Sequence, residues 1–238
     1  MDKQLQIKKI LTAAALFICG AILTAQTPSI IEHIRIPLWA EIDAYPGIEL
    51  NEKEQKNTSW QNGQYSFAVA RIKETADFLV DGMVYGWDFV YVPYDKTRGV
   101  EEELEIIPIQ KLDETGGRLQ YSSPWVQDNK LYCWIDYTRT DFQIQNYNLW
   151  ASIQHPAIQG RGYGDITDGF DGIQKAAYDA LKNAIRNHYR GQIKNKPKEI
   201  TGSVLIRRQP VLGIDSGRYV INLDFFLESG NIKEYTTF

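Results

Sequence analysis

The sequence predicts an α+β fold with largely antiparallel sheets. Two segments, at about 66–83 and 171–190, carry apolar residues three and four positions apart, as amphipathic helices do. Each is followed by two segments in which apolar and polar residues alternate, which predicts a β-hairpin after each helix. Strands that follow one another directly favour antiparallel pairing over a doubly wound parallel sheet.

The first half of the chain opens with a predicted strand at 33–43, in which Pro37 marks the edge of a sheet. The helix at 66–83 can be capped by Ser66. Further strands are predicted at 85–93, 100–109, 118–123 and 130–138. Residues 141–152 fit neither the helical nor the strand period, so their structure stays open.

The helix at 171–190 has the clearest pattern in the chain, because its apolar stripe is rich in alanine and allows close approach to a sheet. Asp168 or Asp171 is predicted to cap its start, and His188 lies in the last turn, where a positive charge complements the helix dipole. The preceding segment Gly160–Gly164 is predicted to form a tight bend. Two strands, at 200–208 and 218–228, end the predicted fold.

The N-terminus predicts export. Residues 1–9 carry three lysines, and the uncharged run Ile10–Ala25 ends in small residues, which is the pattern of a cleavable signal peptide over 1–25. The run has sixteen residues, fewer than the roughly 20 that a transmembrane helix needs. The mature protein would begin near Gln26, outside the cytoplasm, in the periplasm or at the outer membrane. Lipidation at Cys19 or a retained anchor is the alternative.

The mature chain divides into an N-terminal half, 26–150, and a C-terminal half, 151–238, which form one domain or two. Only Cys133 remains after removal of the signal, so no intramolecular disulfide is available and the core must hold the fold. Cys133 shares an alternating face with apolar residues and is predicted to be buried.

Positive charge is concentrated between Lys182 and Arg208, where eight basic residues stand against one acid in a chain of net charge -4. Six of them are candidate ligand-binding residues: Arg186, Arg190, Lys194, Lys198, Arg207 and Arg208. A patch of these residues would attract an anionic envelope polymer, an envelope protein or lipid head groups, with peripheral membrane association. The alternative is a solvated face beside the acidic region of the same fold. No nucleic-acid partner is predicted.

The familiar catalytic and cofactor motifs do not occur. The stretch Gly160–Gly164 has Asp165 where a dinucleotide-binding loop requires its third glycine, so no cofactor is predicted. The three histidines, His33, His155 and His188, have no metal-ligand spacing, and no metal site is predicted. A Gly-x-Ser-x-Gly nucleophile elbow is also absent from the sequence.

One enzymatic alternative remains, a glycan-processing hydrolase with paired carboxylates. Four acids lie near aromatic residues that could stack on sugar rings: Asp88, Glu101, Asp136 and Asp141. Glycoside hydrolysis requires two carboxyl groups facing each other across the scissile bond, so their geometry decides this alternative.

The segment Ala157–Gly162 followed by Ile173–Ile185 and two alternating strands resembles small exported bacterial modules, of the outer-membrane lipoprotein and flagellar-assembly accessory type. In those modules a Gly-x-Gly strand end precedes an alanine-rich helix packed on an antiparallel sheet. The resemblance implies a non-enzymatic envelope role and transfers no catalytic residues. The sequence therefore predicts an exported cell-envelope protein that acts as a binding or structural and assembly protein.

Overall fold

The structure is a computed structural model that describes residues 31–42, 65–112, 119–193 and 195–235. The predicted signal peptide, residues 1–25, and Lys194 lie outside the described residues.

The described residues form three α-helices and nine β-strands. The helices are α1 (Ser66–Val84), α2 (Asp141–Trp150) and α3 (Phe170–Arg190). The strands are β1 (His33–Glu41), β2 (Trp87–Val92), β3 (Glu103–Pro108), β4 (Leu119–Gln127), β5 (Lys130–Thr138), β6 (Ala157–Asp165), β7 (Glu199–Ile206), β8 (Val211–Asp215) and β9 (Arg218–Lys233).

All strand pairs of the described chain are antiparallel, and they form two sheets. The smaller sheet has the order β1-β5-β4, so β1 is an edge strand, as Pro37 predicted. The larger sheet has the order β3-β2-β7-β9-β6, and β8 pairs with β9 beyond the end of β7. The α+β prediction is confirmed, including the two main helices and the antiparallel strands that follow each of them.

The helices α1 and α3 pack on one face of the larger sheet, and the smaller sheet packs against α1. One hydrophobic core joins these layers, with Ile36 from the smaller sheet, Leu79 from α1, Ile185 from α3 and Phe225 from β9 all fully buried. In the larger sheet, β2 from residues 26–150 is hydrogen-bonded to β7 from residues 151–238. The two sequence halves therefore share a sheet and a core.

The predicted bend at Gly160–Gly164 is wrong, because these residues lie within strand β6, directly beside α3. A Cβ atom on Gly162 would lie 2.1 Å from the backbone nitrogen of Ala180 and 2.2 Å from the carbonyl oxygen of Ala176. The glycines serve close packing between strand and helix, since any side chain there would collide with the helix backbone.

The predicted helix caps are also wrong. Ser66 is the first residue of α1, and the residue at the cap position, Tyr65, makes no side-chain capping hydrogen bond. The residue before α3 is Gly169, with φ of 59°, whereas Asp171 lies in the first turn. Asp168 instead forms an ion pair with Lys175 at 2.6 Å.

The helix α2 occupies the segment whose period was ambiguous. Its start is fixed by a capping box, in which Thr140 Oγ1 accepts from Gln143 N at 3.2 Å and Gln143 Oε1 accepts from Thr140 N at 2.9 Å. The sequence signal is Thr-x-x-Gln before a partly apolar segment. On its inner side, Trp150 packs with Leu205 and Phe226 of the larger sheet.

Candidate functional site

An open groove with a volume of about 570 Å³ lies between the end of β2, the last turns of α3 and the segment that leads into β7. This size is in the range of sites that hold a small molecule or a short stretch of polymer. Its apolar and aromatic lining comes from Tyr91, Tyr94, Tyr189, Ile193, Pro197 and Ile200.

One wall of the groove is an ion pair that joins α3 to the loop before β3. Glu102 accepts a hydrogen bond from the Tyr91 hydroxyl at 2.7 Å and from Arg186 Nε at 3.1 Å, while Arg186 Nη2 contacts both carboxylate oxygens. Lys182 Nζ lies 3.9 Å from the same carboxylate. The charge of Arg186 is therefore already balanced, and its main effect is to fix the position of α3.

The electrostatics of this wall keep both groups in their ordinary protonation states. Burial opposes ionisation of Glu102, but the hydrogen bonds from Arg186 and Tyr91 outweigh it and hold the pKa of Glu102 below its usual range. Burial, together with the hydrogen bond to Glu102, raises the pKa of Tyr91 to about 12. At neutral pH the site thus presents an ionised carboxylate and a protonated phenol, which favours a positioning role over proton transfer.

Two cations at the rim of the groove have no carboxylate partner in the part of the chain that the structure describes. Arg190 follows Arg186 by one helical turn and is exposed. Lys196 is also exposed and donates only to the backbone oxygen of Tyr94, at 2.9 Å. Their charges are available to an anionic ligand that enters the groove.

His188, beside the groove in the last turn of α3, does not provide the predicted charge. Burial lowers the pKa of His188 below its usual value, so the imidazole is neutral at pH 7. Its Nε2 lies 3.1 Å from Gln192 Nε2, so the ring is hydrogen-bonded within the helix end.

The six candidate ligand-binding residues do not form one patch. Arg186 and Arg190 line the groove, and Lys198 is exposed just before β7, but Lys194 lies outside the described residues. The remaining two stand at the opposite end of β7, because a strand of eight residues spans about 26 Å. There Arg207 Nη2 lies 2.7 Å from Asp224 Oδ2, and Arg208 Nε lies 3.5 Å from it.

Sequence reasoning missed the aromatic half of the groove. Tyr91 and Tyr189 come from a strand and a helix that are far apart in sequence, and Glu102 precedes β3. Lys196 was part of the basic segment, but nothing in the sequence separated it from its basic neighbours. The sequence signal for Tyr91 is the alternation of side chains along β2, which places Tyr91 on the face of the strand that packs toward α3.

The four acids of the hydrolase alternative lie on different elements, and none of them lines the groove. Asp88, on β2, accepts a hydrogen bond from Ser203 Oγ at 2.6 Å. Asp136 lies on β5 of the smaller sheet, Asp141 lies in the first turn of α2, and Glu101 is exposed before β3. The hydrolase stays an untested prediction.

Cys133 is buried, as predicted, with 1% of its surface exposed. Burial raises the pKa of the Cys133 thiol to about 11, so it is not a thiolate nucleophile at neutral pH. Among the residues that the structure describes, no three His, Cys, Asp or Glu side chains are grouped so as to hold a metal ion. In that same part of the chain, no helix combines the length and the apolar character needed to cross a membrane.

The comparisons with known proteins place the chain in a family. The chain belongs to the protein family whose model matches residues 20–235, a family without a described function. It is 26% identical over 205 residues to an uncharacterised protein of Treponema pallidum (strain Nichols), covering 86% of this chain and 83% of that protein. No solved structure matches the chain significantly. The resemblance to lipoprotein and flagellar-assembly modules stays a prediction.

Proposed function

We propose that this chain is an exported cell-envelope protein that binds an anionic segment of an envelope polymer or protein in the groove, without catalysing a reaction. The observation that carries the proposal is the pair of rim cations, Arg190 and Lys196, at the mouth of a tyrosine-lined cleft. Neither cation is neutralised by a carboxylate within the described part of the chain.

The lining defines the class of ligand. Tyr189 and Ile200 are buried and provide an apolar floor, while Tyr94 is 46% exposed at the rim and offers a ring face. Rings with a polar tip contact sugars, peptides and other amphipathic chains at a small entropic cost. The rim cations add a preference for negative charge. A ligand with a carboxylate or phosphate group beside a ring or an apolar group would use both features.

The groups around Glu102 support binding rather than chemistry. Its oxygens are occupied by Tyr91 and Arg186, and its pKa is held low, so it is a poor proton donor. The phenol of Tyr91 is a poor base because its pKa is about 12. A general acid or base would need a pKa close to the working pH.

The test is direct binding of two defined probes, fluorescent polyglutamate and fluorescent polygalacturonate, at low and moderate salt. Changing both Arg190→Gln and Lys196→Gln should weaken binding about tenfold at low salt, since each exposed charge contact contributes up to about 1 kcal/mol. The difference should shrink with added salt, because exposed charges are screened. The probe that binds more tightly then identifies the polymer class.

The matched control is Arg208→Gln, which removes an exposed guanidinium at the other end of β7. It should leave probe binding unchanged. A loss of binding free energy per removed charge that is equal in the control and in the double variant would show that binding follows total charge and would overturn the groove as the site. The absence of binding to both probes, together with no salt-sensitive capture from an envelope extract, would also overturn the proposal.

The proposed export is supported by the charged start and the uncharged run Ile10–Ala25. N-terminal sequencing of the envelope fraction should give a mature start near Gln26. Labelled palmitate that enters the wild-type chain and is lost in Cys19→Ala would instead show a lipid anchor at Cys19.

A further inference from the structure

The helix α2 carries large apolar side chains on its outer side. Phe142 is 75% exposed, Leu149 is 68% exposed, and Ile153, in the turn after the helix, is fully exposed. Together they are the exposed stripe of α2. Phe142 and Leu149 are seven residues apart, which places them on the same side of the helix two turns from each other. Single exposed apolar residues need no explanation, but neighbouring ones of this size indicate a contact surface.

The surface around the stripe carries almost no charge. From Phe142 to Gly160 the sequence has no Asp, Glu, Lys or Arg, although 24% of the chain is charged. The exposed polar residues beside the stripe include Gln145 and Asn148, whose side chains are neutral amides. Asp141 is the one charged residue of α2, and it lies at the first position of the helix. Depletion of charge around apolar side chains is typical of the core of a protein–protein interface.

The stripe is held in place before any partner binds. The capping box fixes the start of α2, and on the inner side Trp150 packs with Leu205 and Phe226 of the larger sheet. Tyr147, which also packs against these residues, donates to the carbonyl of Arg207 at 3.3 Å. Little conformational freedom is therefore lost when the outer side is covered, which favours association.

The lack of charge also distinguishes between the possible partners. A lipid surface is disfavoured, because helices that lie on membranes carry Lys or Arg on their polar side, and α2 has neither. A strongly charged partner would be recognised by opposite charge, which this surface does not offer. In a symmetric dimer, each side chain near the two-fold axis faces its own copy, so a charged patch would repel itself. A neutral apolar patch can face its own copy, which favours a second copy of the chain.

We propose that the outer side of α2 is the contact surface of a symmetric dimer, in which the helices of two copies lie antiparallel with Gln145 near the two-fold axis. Gln145 is exposed and lies midway between Phe142 and Leu149. Phe142 of one copy packs against Leu149 of the other, and Ile153 lies at the periphery of the contact. The surface is small for an interface, so the dimer is weak and reversible.

The dimer does not depend on the proposed function, because the groove lies at the other end of β7 from α2. Both grooves remain open in such a dimer. A polymer long enough to reach both of them would bind the dimer more tightly than it binds one copy.

The test is analytical ultracentrifugation of the exported protein, with its processed N-terminus, over a range of protein concentrations and without ligand. We expect the mass to rise from one copy toward two. Changing both Phe142→Ser and Leu149→Ser should raise the dissociation constant of the dimer at least about tenfold with an unchanged circular dichroism spectrum, since central apolar contacts dominate binding. The matched control is Ile107→Ser, which removes a 49% exposed side chain from β3 and should leave the dissociation constant unchanged.

Charges introduced at position 145 test the symmetry of the contact. Gln145→Lys and Gln145→Glu should each sediment as single copies, because like charges meet at the axis. An equimolar mixture of the two variants should form dimers again. A wild type that stays a single copy at every concentration, or a dimer that the two serines leave intact, would overturn the proposal. Dimers of each charged variant alone, or a mixture that does not associate, would overturn it as well.

Discussion

The two ends of β7 carry surfaces of different character. At its start, the groove combines tyrosines with Arg190 and Lys196, two cations that have no carboxylate partner among the described residues. At its end, the cations Arg207 and Arg208 face Asp224, and the neighbouring helix α2 exposes apolar side chains. One continuous basic segment of the sequence thus contributes residues to two separate surfaces. A run of basic residues in the sequence predicts a single binding surface only when the fold keeps those residues together. Here β7 separates the two ends of the run.

The two surfaces also differ in how they are fixed. The groove depends on α3, which is held against β6 by strand glycines and against the loop before β3 by the ion pair between Arg186 and Glu102. The α2 end depends on the capping box and on Arg139, which connects that end to the chain's entry and to α1. Each surface can therefore be altered by a change that leaves the other in place.

The largest effect is expected from Gly162→Ala, which disturbs the scaffold that both surfaces share. The new Cβ atom would lie 2.1 Å and 2.2 Å from backbone atoms of α3, and backbone cannot move aside as a side chain can. We expect a loss of at least about 3 kcal/mol in the free energy of unfolding, or failure to fold. Urea unfolding, monitored by circular dichroism, measures this loss in the free energy of unfolding.

The control for this change is Gly191→Ala, just after α3. Its φ is -86°, and a Cβ atom there meets no other atom of the described residues within 4 Å. The free energy of unfolding should change by less than about 0.5 kcal/mol. If Gly162→Ala behaves like Gly191→Ala, then α3 does not pack on β6 as described.

The next largest effect is expected from Arg139→Gln, which disrupts the α2 end alone. Arg139 is 5% exposed, and its Nη1 and Nη2 donate to the carbonyls of Ile31 and Met83. Its removal leaves one buried and one partly buried carbonyl group without these partners, at a cost of about 2 to 3 kcal/mol in unfolding free energy. Binding of the anionic probes to the folded variant should not change. A matching loss of probe binding would show that the two ends are coupled.

A smaller effect is expected from Glu102→Gln, which alters the groove alone. At neutral pH we expect a loss of about 1 kcal/mol in unfolding free energy, since the pair is partly exposed. Affinity for the anionic probes should rise severalfold, because the charge of Arg186 is no longer balanced.

This variant also has a defined pH dependence. The pKa of Glu102 in the fold lies below the ordinary glutamate value of 4.5, so its contribution to stability is complete above pH 4.5 and is lost as the pH falls through the lowered pKa. The wild type should therefore exceed Glu102→Gln in stability at neutral pH, and the difference should shrink in acid. Urea titrations at several pH values test this, and a difference that grows toward acid would contradict the assigned ion pair.

The parts of the fold that could be predicted are those set by local periodicity. The spacing of apolar residues within 66–83 and 171–190 predicted both main helices. The alternation of apolar and polar residues around Cys133 predicted β5 with its buried face. The glycines of β6 could not be assigned in this way, because their spacing of two is meaningful only once α3 lies beside them.

The site was less predictable because its residues meet only through tertiary packing. Arg186 and Arg190 were identified from charge, but Tyr91, Glu102 and Tyr189 come together through β2, the loop before β3 and α3. The capping box of α2 was visible in the sequence as Thr-x-x-Gln, yet the exposed stripe beyond it disrupts the usual amphipathic period.

The smallest effect is expected from the stripe itself. Phe142 and Leu149 are exposed, so Phe142→Ser and Leu149→Ser together should change the free energy of unfolding by less than about 0.5 kcal/mol. On the inner side of the same helix, Trp150 is 7% exposed, and Trp150→Ser should cost about 3 kcal/mol or more. Urea unfolding at a low protein concentration, where the chain is monomeric, separates the two cases. A loss above about 1 kcal/mol for the double serine variant would mean that these side chains already pack within the fold. The α2 end would then have no exposed apolar surface that distinguishes it from the groove.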